Sequence, residues 1–197
     1  MDIRKIIYVI FGIGISLSIL FFFILLGLET KLKKLPILGE VSNFHLMDSR
    51  NEEFSLEKLK GKTWVVDFIF TSCGNICPLL TKNMAALHRS FVSVEGIEMV
   101  SVSVNPEVDS PSTLAEFAKK YHADTTKWHF LTGSREEIQN LAVKSFKIGS
   151  VEEPIFHSDQ FVLVDSHSRI RGYYTGTEQK KINILFKDIA VLMKEKE

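Results

Sequence analysis

The stretch Trp64-Val65-Val66-Asp67-Phe68-Ile69-Phe70 constrains the fold more than any other, because it is apolar at almost every position. A strand with one wet face alternates apolar and polar residues, so a nearly continuous run belongs in a sheet covered on both faces. Ile97 to Val104 has the same character. Helical spacing joins Leu79, Met84, Leu87 and Phe91 in the segment from Pro78 to Phe91. Ser110-Pro111 opens a helix reaching about Tyr121, with serine as cap and proline at the first helical position. His129-Phe130-Leu131 is a short strand, and Ser134-Arg135-Glu136-Glu137 is a capping box for a helix ending near Phe146.

Two hairpins complete the pattern. One runs from Val41 to Leu56 around Asp48-Ser49-Arg50-Asn51, followed by a helical turn from Leu56 to Lys60 that ends at Gly61. The other joins Asp159–Asp165 to Ile170–Tyr174 around Ser166-His167-Ser168-Arg169. Thr177 is placed to cap a last amphipathic helix reaching Lys194. Strand–helix–strand–helix, then hairpin and helix, predicts an α/β domain whose mixed sheet carries helices on both faces.

Ahead of that domain, Ile6 to Leu28 contains no charged residue. As a helix it extends roughly 35 Å, enough to cross a bilayer core. A cleaved signal peptide has an apolar region of about 7–15 residues and small residues at the cleavage site. Leu26-Gly27-Leu28-Glu29 supplies no such site. The expected organisation is therefore a stub at 1–5, a transmembrane anchor at 6–28, a linker at 29–39 and a folded domain at 40–197. Arg4 and Lys5 precede the anchor, and Lys31, Lys33 and Lys34 follow it. The positive-inside count thus does not fix the orientation, and taken literally it leans towards a cytoplasmic domain. Lys plus Arg and Asp plus Glu number 24 each, so no basic surface speaks for nucleic-acid binding.

Cys73 and Cys77 are the only cysteines, four positions apart. Such a pair is no framework for a disulfide-rich mini-protein. The first apolar strand delivers them to a strand–helix junction, where the helix N-terminus favours thiolates. The spacing puts both sulfurs on one side of a turn, which permits a disulfide and equally permits two ligands to one soft ion such as copper(I) or zinc. Two thiolates leave such a site open, so a metal would need a third ligand from elsewhere. Gly74, Asn75 and Pro78 around the pair speak for a functional loop over two buried small hydrophobes.

Val66-Asp67-Phe68-Ile69-Phe70-Thr71-Ser72-Cys73 resembles the thioredoxin superfamily, in which a buried aspartate precedes the first active cysteine by six positions. The fuller pattern is similar to the Sco/SenC family of copper-binding assembly factors for cytochrome oxidase. The matching pieces are Asp67-Phe68-Ile69-Phe70-Thr71, Cys73-x-x-x-Cys77-Pro78, Ser103-Val104-Asn105-Pro106-Glu107-x-Asp109-Ser110-Pro111, Trp128-x-Phe130-Leu131-Thr132-Gly133 and His157-Ser158. They span roughly Phe44 to Tyr174. The resemblance implies a thioredoxin-like fold, copper as the bound ion, Cys73, Cys77 and His157 as its ligands, and proton transfer at the thiols as one role for Asp67. A structural aspartate at position 67 is the equal alternative. The family usually has aspartate where Asn105 stands, so that charge is missing here, while Asp109 is kept.

The function so implied is that of a membrane-anchored copper metallochaperone serving the binuclear copper site of cytochrome c oxidase subunit II, which is no turnover enzyme in the usual sense. The alternative is an anchored thiol–disulfide oxidoreductase using Cys73 and Cys77 alone. A peroxidase, suggested by Thr71 near Cys73, is weaker because the usual Thr-x-x-Cys spacing is absent. His45, His88, His122, His129 and His167 read as ordinary surface or core residues, and Met84 as core. The chain lacks an Arg- and Ser-rich, acid-poor leader before Ile6, which favours a bacterial inner membrane, and the disulfide-capable pair together with the family resemblance implies an extracytoplasmic domain.

Overall fold

A computed structural model describes residues 3–27, 34–150 and 158–195 of the 197. The chain divides into two compact units, up to Lys34 and from Leu35 onward. The first contains helix α1 (Ile3–Gly27), 25 residues long. Its described side chains, at 3, 4 and 10–21, are all exposed. Among the described residues no helix is long and apolar enough to cross a membrane. The expected span 6–28 includes residue 28 and side chains at 6–9 and 22–27 that lie outside the described residues.

The second unit holds strands β1 (Gly39–Glu40), β2 (His45–Asp48), β3 (Glu53–Ser55), β4 (Thr63–Ile69), β5 (Ile97–Ser103), β6 (Trp128–Thr132), β7 (Gln160–Val164) and β8 (Arg169–Thr175). Its helices are α2 (Cys77–Phe91), α3 (Pro111–Lys120), α4 (Arg135–Gln139) and α5 (Gln179–Lys194). The strands form one sheet in the order β1-β8-β7-β4-β5-β6-β2-β3. β4, β5 and β6 are parallel, and every other pairing is antiparallel. This is the expected mixed sheet.

The two apolar runs behave as their composition demands. Every residue of β4, β5 and β6 is buried. Val65, Ile69, Met99 and Phe130 pack with Leu80 and Met84 of α2, Leu114 of α3 and Leu185 of α5. On the other face, Val66, Phe68, Val100 and Val102 pack with Ile138 of α4, then Leu141 and Phe146. Strand alternation thus gives Asp67 the same face as Val65 and Ile69, the face that also receives both cysteines.

Local signals met varied outcomes. Ser110 caps α3, accepting the Thr113 N–H at 3.2 Å, and Ser134 and Glu137 close the capping box of α4. The helix after Ser134 does not stay α-helical to Phe146: it passes into a π-helical turn at Asn140–Ser145. Thr177 does not cap α5; Glu178 holds that position, its carbonyl accepting the Lys181 and Ile182 N–H groups, without a side-chain cap hydrogen bond. On α2 the buried stripe runs through Leu80, Met84 and Leu87, which leaves Leu79 45% exposed. Starting the helix at Cys77, one residue before the expected Pro78, points Cys77 and Leu80 inward and turns Leu79 to solvent.

Residues 35–40 belong to the folded unit. Leu35 is buried, β1 pairs with β8, and the carbonyls of Leu35 and Pro36 accept from the Arg171 guanidinium at 2.7 and 3.1 Å. Arg171 is itself buried and also bonds Asp165 and Glu195, each at 2.8 Å.

Candidate thiol and metal site

β4 ends at Ile69, and the chain turns over Phe70-Thr71-Ser72 to Cys73, whose N–H donates to the Phe70 carbonyl at 3.2 Å. Cys77 is the first residue of α2, with Pro78 behind it. Among the described residues no side chain caps this helix, and Cys73 lies just ahead of its first turn. Burial opposes ionisation of its thiol, but the N–H groups of Cys77, Asn75 and Ile76, together with the Cys77 thiol, outweigh burial and hold Cys73 below the ordinary cysteine value. Cys73 is 8% exposed and Cys77 3%, and both are free thiols.

Cys77 behaves in the opposite way. Burial first, and then the neighbouring Cys73 sulfur and Asp67 carboxylate, push its thiol up to about 12, against a hydrogen bond from the Phe70 N–H. Ionising one sulfur makes ionising the other harder, as expected of two acids sharing a site.

Asp67 is fully buried beneath the pair. Its Oδ1 accepts the Ser101 hydroxyl at 2.6 Å, and Ser101 Oγ in turn accepts the Trp128 indole N–H at 3.0 Å. Among the described residues, Asp67 Oδ2 has no hydrogen-bond partner. Burial, only partly offset by Ser101, raises its carboxyl to about 7. A buried acid that titrates near neutrality, with one oxygen uncommitted, is able to take up or give a proton beside Cys77.

Asn105 is buried, its N–H donating to Ser103 Oγ at 3.1 Å and its carbonyl accepting from Val108 and Asp109. His157 lies outside the described residues. Among the described residues, no three of His, Cys, Asp and Glu are grouped to hold a metal ion. Three of the remaining histidines are engaged elsewhere. His88 Nε2 accepts the Asp124 N–H at 3.1 Å, His129 pairs with Glu98 at 3.0 Å, and His45 with Glu53 at 3.0 Å. His122 and His167 are exposed, and Met84 is fully buried in the core.

Sequence reasoning passed over Ser101 and Asp109 as site residues. A signal was present for the first: Ser101 and Ser103 are the two hydroxyls on a strand face that otherwise carries Ile97 and Met99, opposite Asp67 and Ile69 of β4.

The family model described as SCO1/SenC matches residues 38–194. The chain belongs to the SCO1/SenC family. A relative in Bacillus subtilis, a SCO1 protein homolog, is 34% identical over 182 residues, covering 89% of this chain and 94% of its own. The structure of BsSco, described as having a disulfide switch and as a member of the Sco family of cytochrome c oxidase assembly proteins, is 33% identical. It superposes with a TM-score of 0.70 over 81% of this chain and 98% of that one. Bradyrhizobium japonicum ScoI, solved with copper bound, shares the fold at 19% identity, with a TM-score of 0.64 over 78% of this chain and 99% of that one. The mixed α/β architecture is that of the thioredoxin-like Sco proteins.

Proposed function

We propose that this chain is a membrane-anchored copper metallochaperone that binds copper through Cys73, Cys77 and His157 and assists assembly of the binuclear copper site of cytochrome c oxidase subunit II. The observation that carries the proposal is the placement of the two free thiols: both cysteines are buried at one strand–helix junction, Cys77 opens α2, and the Cys77 thiol with the N–H groups of residues 75–77 holds the Cys73 thiol below its ordinary value. Two soft donors so placed fit copper(I), and an imidazole from His157 would complete a low-coordinate site while leaving copper(II) accessible. Membership of the Sco family and the copper-bound Bradyrhizobium relative support copper as the cargo.

Copper titration of the reduced protein tests the ligand set. Cys73→Ser or Cys77→Ser should abolish stoichiometric binding, and His157→Ala should weaken it without unfolding the domain. Unchanged affinity in His157→Ala would remove the third ligand. In cells lacking the protein, oxidase activity should fall and added copper should partly restore it, since an ion can also arrive by mass action.

The second reading is a thiol–disulfide oxidoreductase. The opposite shifts of Cys73 and Cys77, with Asp67 beneath them, favour it, since an attacking thiolate and a protonated partner need that asymmetry. Full rescue of the oxidase by His157→Ala, with none by Cys73→Ser, would establish that reading over the chaperone.

The anchor is residues 6–28 and the domain is extracytoplasmic, in a bacterial inner membrane. Uninterrupted apolarity supports the first, and the persistence of redox-capable cysteine pairs outside the reducing cytosol supports the second. Digestion of the domain by protease only after the cytosol is opened would reverse the orientation.

A further inference from the structure

Below the cysteine loop sits a second carboxylate with a different environment. Asp109, in the connection between β5 and α3, is fully buried and accepts three hydrogen bonds. The Thr71 N–H donates to its Oδ2 at 3.0 Å, the Thr71 hydroxyl to its Oδ1 at 2.5 Å, and the Ser103 hydroxyl to its Oδ2 at 2.6 Å. The carboxylate is held in place from its own side as well. Ser103 Oγ accepts the Asn105 N–H at 3.1 Å, and the Asn105 carbonyl accepts the Asp109 N–H at 2.9 Å. The neighbouring Glu107 is gripped by Arg135 of α4, with Nε to Oε1 at 2.8 Å.

Two of the three bonds end on one residue, and that residue is two positions before Cys73. The loop it starts has no regular structure, and Ser72, Gly74 and Asn75 are exposed. A turn of this kind has many conformations open to it unless its root is fixed. Thr71 is fixed by both backbone and side chain, and the turn then closes through the Cys73 N–H onto Phe70.

We infer that Asp109 is the positioning residue of the thiol site, fixing the 70–73 turn through Thr71 so that Cys73 is presented to Cys77 in one arrangement. The inference rests on the proposed function only in taking the two thiols as the working groups. Fixing the turn stabilises the dithiol arrangement. Releasing it therefore favours the disulfide, which supplies its own constraint, and weakens any ion that needs both sulfurs at once. Groups that hold metal ligands in place typically govern affinity by tenfold or more.

The test uses the full-length chain in detergent, with Thr71→Val, Thr71→Ser and Asp109→Ala variants. One readout is the equilibrium with glutathione. Oxidised glutathione takes the two thiol hydrogens and its S–S bond breaks to give two reduced glutathiones, while the Cys73–Cys77 bond forms. Maleimide labelling counts the thiols that remain. Thr71→Val should shift this equilibrium towards the disulfide by about tenfold, or ~30 mV. The second readout is copper(I) affinity by chelator competition, which should fall by about tenfold in the same variant. Thr71→Ser keeps the hydroxyl and should restore both values. Asp109→Ala should exceed Thr71→Val in each; should it fail to fold, Thr71→Val alone decides. A folded Thr71→Val protein that matches the wild type in the glutathione equilibrium overturns the inference, as does a Thr71→Ser protein that is equally displaced. Wild-type protein that binds no copper would sink the chaperone proposal and leave the glutathione result standing by itself.

Discussion

The two ends of the central sheet both bury carboxylates, and they treat them in opposite ways. At the start of β4, Asp165 faces Arg169 and Arg171, and Arg171 reaches on to Glu195 and to the carbonyls of Leu35 and Pro36. Burial alone would raise the Asp165 carboxyl. The Arg169 N–H, the Arg171 guanidinium, the His167 N–H and the Arg169 side chain hold it below the usual carboxylate range. Towards the other end of β4, four residues on and roughly 13 Å away at about 3.3 Å per residue, Asp67 has one hydroxyl and, among the described residues, no cation. Burial there wins, and the carboxyl rises to about 7. The difference separates two uses of a buried acid. A paired and fully bonded carboxylate is a permanent charge that ties chain segments together, whereas an unpaired one changes its charge near neutral pH.

The sharpest way to break the first end is Arg171→Ala. It takes the guanidinium from Asp165, Glu195 and two carbonyls and leaves Asp165 with Arg169 as its one cation among the described residues, so unfolding free energy should fall by about 3–5 kcal/mol. Denaturant melts that shift by less than 1 kcal/mol would show the cluster to be ornamental.

Asp67→Asn tests the second end with the opposite sign. The folded carboxyl lies above its unfolded value of 3.8, so its contribution to stability is fully present below pH 4 and lost as pH rises through 7. The amide removes that loss. The variant should be more stable than the wild type at pH 8, by on the order of a few kcal/mol, and equal to it near pH 4. Urea midpoints at the two pH values check this, and an equal difference at both would mean that Asp67 does not titrate. Asp165 has the reverse dependence: its stabilising contribution is present above about pH 4 and lost on acidification.

A smaller effect concerns the root of the paired end. A fragment beginning at Lys34 should fold as an independent unit. One beginning at Gly39 lacks Leu35 and the carbonyls that Arg171 bonds, and should be less stable by about 1–3 kcal/mol. Thermal midpoints that coincide would put the domain boundary at Gly39 after all. The smallest expected change is Ser101→Ala, which removes the hydroxyl between Asp67 and Trp128. It should cost about 1 kcal/mol and raise the Asp67 carboxyl further, visible as a shifted carboxyl resonance in NMR titration.

What the chain determined by itself was whatever depends on neighbours in sequence. The apolar runs of β4 and β5, the Ser110 cap, the Ser134 capping box and the hairpin turn at Asp48–Asn51 are all local, and all formed. The cysteine spacing likewise located the thiol site, because strand, turn and helix follow one another there without interruption. Tertiary structure alone decided the rest. Residues 35–39 look like part of a linker until Arg171, 135 positions beyond Pro36, supplies donors to the carbonyls of Leu35 and Pro36. Helical spacing put Leu79 on the core face of α2, and the sheet covers Leu80 instead. Asp67 and Asp165 are the same residue type, each in or directly after an apolar strand. Their charge states diverge because one meets guanidinium groups from an adjoining strand and turn and the other meets a single serine across the sheet. Pairing of that kind is a property of which distant segments arrive together, and no local pattern encodes it.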